Sequence, residues 1–286
     1  SFVKADIRNR NQLLNIFNSF EPDAVMHLAA ETHVDKSIEK PVEFANTNVI
    51  GTINMLDAAT NYWASKGNFR KFRFHHISTD EVFGSLTNDT NIKFLEETPY
   101  DPRSPYSASK ASSDHFVNAW FKTYGLPVLI TNCSNNYGSF QFPEKLIPLT
   151  IINALLDRPL PIYGNGENVR DWLYVDDHVE ALLLVLNEGK VGRSYNIGGE
   201  NERTNLQIVS EICKNLDYLL PKKNGTYSDL IEFVTDRPGH DKRYAIDTTR
   251  IKNELGWRPR VELEEGLKMT INWYIENKNW WAPIIN

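Results

Sequence analysis

Two pairs of reactive side chains mark this sequence of 286 residues. Tyr106 and Lys110 are spaced so that a helix would place both on one face. A nearby ammonium lowers the pKa of a phenol from its usual value of about 10, which would make Tyr106 a usable base near neutral pH. Asp80 and Glu81 follow an apolar run and offer a second acid–base pair. A base for an alcohol beside two carboxyl groups indicates an oxidation that is coupled to an elimination.

The two pairs need a scaffold in which strands alternate with helices. An apolar run over 24–30 is typical of a buried parallel strand, and a further strand is predicted over 72–78. Pro105 opens a helix that Gly125 ends. This alternation predicts an α/β fold with right-handed crossovers and a doubly wound parallel sheet. Active sites of such sheets lie at the carboxyl ends of the strands, where both pairs would meet.

The remaining elements are predicted from hydrophobic periodicity and from the positions of proline and glycine. They are a strand end over 2–6, a helix through Leu13, Leu14, Ile16 and Phe17 capped by Asn9 or Asn11, a helix from Pro41 through Ala59, a strand over 128–133, helices over 145–156 and 176–186, and a strand over 194–197. After Gly138 the pattern becomes irregular, so periodicity alone does not divide the chain there.

Several motifs give the chain a strong resemblance to a known family. Tyr-x-x-x-Lys marks the short-chain dehydrogenase/reductase superfamily, and Thr79-Asp80-Glu81 resembles its extended members that dehydrate nucleotide sugars. The resemblance continues through residues 28–35, 131–138, 170–175 and 236–241. It covers nearly the whole chain and is strongest to the dTDP-glucose 4,6-dehydratase family.

The resemblance implies two lobes around one site. A Rossmann-like, NAD-binding domain is expected over 1–136 and 171–203, and a smaller α/β lobe for the nucleotide sugar over 137–170 and 204–286. Such a dinucleotide-binding domain normally begins with a strand, a Gly-rich turn and a helix, whereas this chain starts with a segment that resembles the third strand. We therefore expect an N-terminally truncated fragment that lacks the first two strands, the glycine loop and the ribose-binding acid.

The same resemblance implies which residues would contact NAD. Residues 28–30 would run beside the adenosine half, and Lys110 would hold the nicotinamide ribose. A surface turn explains Asp6 and Ile7 about as well as a contact with adenine does, and Thr47 fits a plain helix position nearly as well. The matching positions are Asp6, Ile7, Leu28, Ala29, Ala30, Thr32, Thr47, Tyr106, Lys110 and Asn136.

A binding site for the nucleotide sugar is implied as well. Arginine carries a rigid donor fork that suits a diphosphate, and the family motifs bring Arg170 and Arg237 together there. Taken one at a time, the polar candidates fit an exposed surface. His33, His75 and His76 lack the spacing of a metal site, so no metal is predicted. The matching positions are Thr32, Thr79, Asn135, Lys145, Leu146, Pro161, Tyr163, Arg170, Asn205, Arg237 and His240.

The chemistry that the resemblance implies is the removal of water from a hexose. The C5 proton becomes removable only after the C4 hydroxyl is oxidised to a ketone. Tyr106 would take the 4-hydroxyl proton while hydride moves to NAD, and Thr79 would orient the sugar. Glu81 would remove the C5 proton and Asp80 would protonate the departing 6-hydroxyl. Hydride would then return to C6 and a proton to C5, which gives the 4-keto-6-deoxy sugar.

Other functions stay open from the sequence. A UDP-glucose 4,6-dehydratase would carry the same residues, whereas epimerases and decarboxylases of the superfamily do not need the adjacent Asp80-Glu81 pair. A catalytically silent binding protein is the alternative of another class, because the glycine loop is missing. Thr79, Asp80 and Glu81 taken alone would fit a helix cap or a turn.

Composition limits the partners and the compartment. The formal net charge of -6 argues against general binding to nucleic acids or membrane surfaces. Only Cys133 and Cys213 are present, which predicts no disulfide framework and a reducing cytoplasm. Surplus apolar residues on two helices predict a homodimer, as in related enzymes. These residues are Val49, Ile53, Leu56 and Ala59 on one helix and Phe116, Ala119, Trp120 and Phe121 on the other.

Overall fold

A computed structural model describes residues 1–69, 71–87 and 89–285 of the chain. The helices are α1 (Arg10–Phe20), α2 (Val34–Glu39), α3 (Pro41–Phe44), α4 (Gly51–Ser65), α5 (Pro105–Tyr124), α6 (Leu146–Leu155), α7 (Val175–Glu188), α8 (Asn205–Leu219), α9 (Thr249–Leu255), α10 (Leu263–Glu276) and α11 (Lys278–Ile285). A π-helical segment, Ala45–Ile50, joins α3 to α4. The strands are β1 (Ala24–His27), β2 (Arg73–Thr79), β3 (Val128–Cys133), β4 (Asn135–Tyr137), β5 (Leu160–Tyr163), β6 (Val169–Tyr174), β7 (Ser194–Ile197), β8 (Glu202–Thr204) and β9 (Ile231–Val234).

A parallel sheet forms the centre of the predicted nucleotide domain. Its strands lie in the order β1-β2-β3-β7, and β2 pairs with β3 from Phe74 opposite Val128 to Thr79 opposite Cys133. Side chains on β2 and β3 are buried or half-buried along the whole of both strands, as expected for a parallel sheet that is covered on both faces. Because the strands are parallel, their carboxyl ends lie at one edge of the sheet. The α/β class predicted from the sequence is confirmed.

Two predicted strands differ from the structure: one is absent among the described residues and the other ends earlier than predicted. The strand predicted over 2–6 is wrong, since within the described chain these residues form no strand. Phe2 is 89% exposed there, and β1 pairs with β2 alone among the described strands, so no ladder holds the segment. The strand predicted over 24–30 ends at His27. Leu28 is 55% exposed because it already lies beyond the edge of the sheet.

Helix α5 begins and ends at the predicted residues. Its N-cap is Ser104, whose hydroxyl accepts a hydrogen bond from the Ser107 N–H at 3.0 Å, and Ser107 Oγ accepts one from the Ser104 N–H at 3.0 Å. This capping box satisfies backbone donors that the first turn leaves free. Gly125 ends the helix with a φ of 72°, a left-handed conformation that glycine adopts without steric cost. The caps therefore fix where Tyr106 stands along the helix.

The later part of the chain has a hydrophobic core of its own. Buried side chains such as Ile151, Val209 and Leu267 bring helices α6, α8 and α10 together. Strands β4, β6 and β8 form a small sheet beside them, and β5 pairs with β9. The division of the chain into two lobes at the predicted residues stays a prediction. Across the described residues, no helix has both the length and the apolar character needed to cross a membrane.

Several imidazoles are buried in or beside the parallel sheet. His75 and His76 lie on β2, as predicted, and His178 lies on α7. Burial lowers the pKa of His75 to about 3 and that of His178 to about 4, because a protein interior disfavours the charged form. These side chains are therefore neutral in the folded protein at neutral pH.

Replacing His178 tests this burial through the pH dependence of stability. The pKa of its imidazole falls on folding from 6.5 to about 4. As the pH falls through this window the unfolded chain binds a proton that the folded chain does not, so the free energy of unfolding falls. His178→Phe should reduce that loss by roughly 1 to 2 kcal/mol between pH 7 and pH 5. Urea unfolding at both pH values measures the effect.

The matched control for this experiment is His115→Gln, at an exposed imidazole on α5. It should keep the parent's dependence of unfolding free energy on pH. A His178→Phe variant with the same dependence as the parent would contradict the assignment of a buried, neutral imidazole.

Candidate active site

The predicted carboxyl pair lies at the carboxyl end of β2. The strand ends at Thr79, and a single 3₁₀ turn that begins with Asp80 and Glu81 follows it. The Thr79 hydroxyl accepts a hydrogen bond from the Glu81 N–H at 3.3 Å and lies 3.3 Å from Asp80 Oδ1. Gly84 closes the turn with a φ of 91°, and a Cβ there would lie 2.6 Å from a neighbouring carbonyl oxygen. The turn thus holds both carboxyl groups at the edge of the sheet.

Tyr106 and Lys110 face this turn from the start of α5. Both side chains are buried, with 8% and 5% exposure. Lys110 Nζ donates a hydrogen bond to the carbonyl of Ile77 on β2 at 2.7 Å, which ties the helix to the strand. Asn132 on β3 donates from Nδ2 to the carbonyl of Thr79 at 3.1 Å. Two strands and one helix thereby hold the predicted catalytic residues in one enclosed place.

The two carboxyl groups have different electrostatic surroundings. Burial raises the pKa of Asp80 well above its usual value, and the carboxyl groups of Glu81 and Asp171 act in the same direction. Burial also raises the pKa of Glu81, but the guanidinium groups of Arg170 and Arg237 oppose that rise. At neutral pH Asp80 is therefore suited to donate a proton, and Glu81 is the better acceptor of the two.

A cavity of about 320 Å³ opens beside Glu81. Its walls combine cationic, amide and aromatic side chains from the two predicted lobes. Thr79, predicted to contact the sugar, is not among its lining residues and lies deeper, at the end of β2. The other residues predicted for the nucleotide sugar all line the cavity: Thr32, Asn135, Lys145, Leu146, Pro161, Tyr163, Arg170, Asn205, Arg237 and His240.

Two guanidinium groups of the cavity wall have restricted orientations. Arg170 Cζ lies 4.1 Å from the centre of the Tyr244 ring, and the side chain donates a hydrogen bond to the carbonyl of Asp241 at 3.0 Å. Arg237 lies 3.5 Å from a carboxylate oxygen of Asp35. Fixed donor forks on one wall are suited to an anion that carries phosphate groups.

A second, more open cleft of about 410 Å³ begins near the end of β1. In this cleft Asp6 accepts hydrogen bonds from Arg8, and these lower the pKa of its carboxyl to about 2. Leu28 and Thr32 are not among the lining residues of this cleft. Its walls include Asp6, Ile7, Ala29, Ala30 and Thr47, all of which the sequence predicts to contact NAD.

The residues along this edge fit a dinucleotide. Ala29 and Ala30 contribute only small side chains to the wall of the cleft. Asn132 Oδ1 and Asn136 Oδ1 are buried without a hydrogen-bond partner among the described residues, and buried acceptors of this kind need one. Asn132 lies near the carboxyl end of β3, and Asn136 contacts Cys133 at that end; sheets of this type bind nucleotides at this edge. Within the described ranges, no group of three or more His, Cys, Asp or Glu side chains could hold a metal ion.

The chain resembles known proteins along almost its whole length. A sequence model of the GDP-mannose 4,6 dehydratase family matches residues 1–270. The dTDP-glucose 4,6-dehydratase of Neisseria meningitidis serogroup B is 55% identical over 291 residues, which cover 100% of this chain and 82% of that protein. The chain belongs to the dTDP-glucose 4,6-dehydratase family.

Solved structures of this family share the fold. The dTDP-glucose 4,6-dehydratase of Bacillus anthracis, crystallised in complex with NAD, matches with a TM-score of 0.86 and 44% identity over 99% of this chain and 82% of that one. The enzyme of Streptomyces venezuelae, crystallised with NAD bound, matches with a TM-score of 0.89 and 43% identity over the same shares. The family predicted from the sequence motifs is confirmed.

One electrostatic prediction for this dehydratase family member is wrong in the structure. The sequence predicts that Lys110 lowers the pKa of Tyr106. Burial instead raises the pKa of Tyr106 well above its usual value, and the carboxyl of Glu81 adds to the rise. Burial lowers the pKa of Lys110 too, and its ammonium is directed at the Ile77 carbonyl. Loss of hydration raises the pKa of the phenol and lowers that of the ammonium because protein encloses both.

Other residues of the site were missed by reasoning from the sequence. Tyr244 lies under a guanidinium, Trp172 lines the cavity, and Asn132 holds the end of β2. Tyr244 lies outside every motif of the family resemblance, so no local pattern indicates it, whereas Asn132 and Trp172 lie inside the motifs over 131–138 and 170–175. Asp35 and Asp241 lie inside motifs that carry the family resemblance, and those motifs were a signal that could have singled them out.

Replacing Asp80 with asparagine tests whether its carboxyl is protonated. Asp80 Oδ2 is buried without a hydrogen-bond partner among the described residues. Because the folded pKa is raised, Asp80 favours folding only while it is protonated, and this contribution is lost as the pH rises above the ordinary value of 3.8. Asp80→Asn is always neutral, so it should raise the free energy of unfolding at pH 7 by about 1 kcal/mol or more.

Urea unfolding at pH 7 and pH 4 checks this expectation, and the gain should shrink at pH 4. Asp101→Asn, at an exposed carboxyl, is the control and should change stability little. A variant at Asp80 that is less stable than the parent at pH 7 would contradict a buried, protonated carboxyl.

Proposed function

We propose that the protein converts dTDP-glucose to dTDP-4-keto-6-deoxyglucose with NAD as its cofactor, in deoxysugar biosynthesis of the rhamnose type. One observation carries this proposal. Asp80 and Glu81 meet Tyr106 and Lys110 at the end of β2, beside a cavity whose wall holds two fixed guanidinium groups. The identity of 55% to a relative named for this reaction supports it.

The proposed reaction begins with oxidation at C4. NAD, when bound, accepts hydride from C4, contributes a positive charge while oxidised, and returns the hydride to C6. Tyr106 takes the proton of the 4-hydroxyl, and Thr79 orients that hydroxyl. Lys110 holds the nicotinamide ribose. Since burial raises the pKa of Tyr106 well above its usual value, its phenol acts as a base only when a nearby positive charge favours the phenolate.

Elimination then uses the two carboxyl groups. Glu81, whose pKa rise on burial is opposed by Arg170, Arg237 and Lys145, removes the C5 proton. Asp80, whose pKa burial raises well above its usual value, donates its proton to the 6-hydroxyl as that group leaves as water. Once hydride has returned to C6, a proton adds to C5 and completes the 4-keto-6-deoxy sugar. A base for an alcohol, a base for carbon and an acid for the leaving group are all needed, and the site offers one side chain for each.

We propose the binding contacts in the same terms. The adenosine half of NAD would lie in the cleft along Asp6, Ile7, residues 28–30 and Thr47, within a domain of residues 1–136 and 171–203. The nucleotide sugar would occupy the cavity beside Glu81. The cytoplasm is the proposed compartment, supported by the two cysteines of the described chain being free.

The experiment that tests the function compares two substrates. The protein is incubated with dTDP-glucose or with UDP-glucose, with and without added NAD. The masses of the products are then measured by mass spectrometry. We expect dTDP-glucose to lose one water and give the 4-keto product. Equal or faster conversion of UDP-glucose would contradict the proposed nucleotide. If the protein binds NAD and converts neither sugar, the alternative of a silent binding protein is supported instead.

Changing Glu81 to glutamine should separate oxidation from elimination. The variant keeps Tyr106 for the 4-hydroxyl but lacks the base for C5, so product formation should fall by about 100-fold or more. Rapid-scan absorbance should still detect reduced nicotinamide after dTDP-glucose is added. Glu97→Gln, at an exposed carboxyl, is the control with parental turnover. Unchanged turnover of the Glu81 variant would remove Glu81 from this role.

We also propose that the protein is a homodimer in which α4 and α5 meet their copies. The Trp120 ring lies 5.2 Å from that of Tyr124, which is 55% exposed, and 6.2 Å from that of Phe116. Leu56 and Ala59 were expected at this interface but are 0% exposed in the chain's own core, so they are not available. The remaining aromatic row would support an isologous contact across a two-fold axis.

Replacing Trp120 with glutamate tests this interface. A charge in its apolar centre should shift the protein from dimer to monomer, which sedimentation velocity at micromolar concentration measures. Leu183→Glu changes a half-exposed leucine on α7, outside the proposed face, and should leave the dimer intact. A monomeric parent would end the dimer proposal, and a Trp120→Glu variant that stays dimeric would place the interface elsewhere.

A further inference from the structure

A buried carboxylate lies directly behind the proposed catalytic dyad. Asp114 follows Lys110 by four residues on α5, just as Lys110 follows Tyr106, so the three side chains share one face of the helix. Asp114 is 0% exposed. It accepts hydrogen bonds from the hydroxyl of Ser78 at 2.7 Å and from that of Tyr100 at 2.9 Å.

The groups that surround Asp114 and Lys110 from the sheet are neutral. His76 Nε2 on β2 lies 3.1 Å from Asp114 Oδ1, and burial lowers the pKa of this imidazole to about 4. Burial also lowers the pKa of His27 on β1, behind it. On β3, burial raises the pKa of the Cys133 thiol to about 12.

The hydrogen-bond donors of Asp114 are neutral, so they stabilise its carboxylate without cancelling its charge. Burial raises the pKa of Tyr100 above its usual value, so its phenol stays neutral, and Ser78 contributes a hydroxyl. Lys110 in turn donates to the neutral carbonyl of Ile77. A buried carboxylate and a buried ammonium are each costly when alone. One helical turn separates these two residues along α5, and opposite charges at that spacing on a helix attract each other.

We propose that Asp114 is the buried counter-ion of Lys110 and thereby a positioning residue of the reaction. Its charge keeps the ammonium of Lys110 protonated at the end of β2, where Tyr106 needs a cation. Consistent with this, Asp114 raises the pKa of Lys110 against the lowering caused by burial. The catalytic part of the inference rests on the proposed function, whereas the charge pairing does not.

A double-mutant cycle in stability tests the pairing. Melting temperatures are compared for the parent, Asp114→Asn, Lys110→Met and the double variant. Each single change leaves one buried charge alone, so the double variant should melt higher than the sum of the two losses predicts. Tyr100→Phe, which removes a hydrogen bond but no charge, should add to Lys110→Met without coupling. Additive effects of Asp114→Asn and Lys110→Met would overturn the pairing.

The same cycle stays informative if a single variant fails to fold. Should Asp114→Asn not fold, the double variant should recover folded protein, as judged by circular dichroism. A double variant that is as unfolded as Asp114→Asn alone would overturn the proposal.

The pH dependence of turnover of dTDP-glucose tests the role in the reaction. In Asp114→Asn the loss of activity at alkaline pH should begin about one pH unit lower, because Lys110 gives up its proton more easily. Asp114→Asn should have no further effect on the profile in the Lys110→Met background. If Asp114→Asn loses activity at the same alkaline pH as the parent, the positioning role is overturned. An inactive parent would instead contradict the proposed function and leave the stability cycle readable.

Discussion

Lys110 donates a hydrogen bond to the carbonyl of Ile77 at 2.7 Å, and this contact fixes the start of α5 against the end of β2. The helix carries Tyr106, while the strand runs on into Asp80 and Glu81. The capping box at Ser104 sets where the helix begins, and pairing with β3 sets where the strand ends. The distance between the two acid–base pairs therefore depends on ordinary rules of helix capping and parallel pairing.

Burial is what gives these side chains different tasks. The same loss of hydration raises the pKa of Asp80, Glu81 and Tyr106, but only Glu81 is opposed by several cations of the cavity wall. A carboxylic acid and a carboxylate can then stand side by side at neutral pH, which a solvent-exposed Asp-Glu pair would not allow. Burial of the site is thus part of the proposed chemistry.

Sequence reasoning found the features that local rules govern. Pro105 and Gly125 delimit α5 because helix ends have strong side-chain preferences, and the apolar run before Asp80 reads as a parallel strand because both of its faces are buried. The strand predicted over 2–6 was wrong because a strand needs a neighbouring strand to pair with, and the hydrophobic pattern does not show whether one is present. The prediction of a lowered pKa for Tyr106 was wrong because residue spacing shows that Lys110 is near but does not show that both side chains are buried. Tyr244 was missed because its contact joins segments that are distant in the chain, whereas the position of Asp114 four residues after Lys110 was a local signal that went unused.

The measurement that tests the account most directly follows the hydrogen at C4. The protein is given dTDP-glucose that carries deuterium at C4, in ordinary water, and the product is examined by proton NMR and mass spectrometry. The account predicts that the deuterium appears at C6 of the same sugar, while C5 carries a hydrogen from solvent. Loss of the deuterium to solvent, or a C5 hydrogen retained from the substrate, would contradict oxidation at C4 followed by elimination through Glu81 and Asp80.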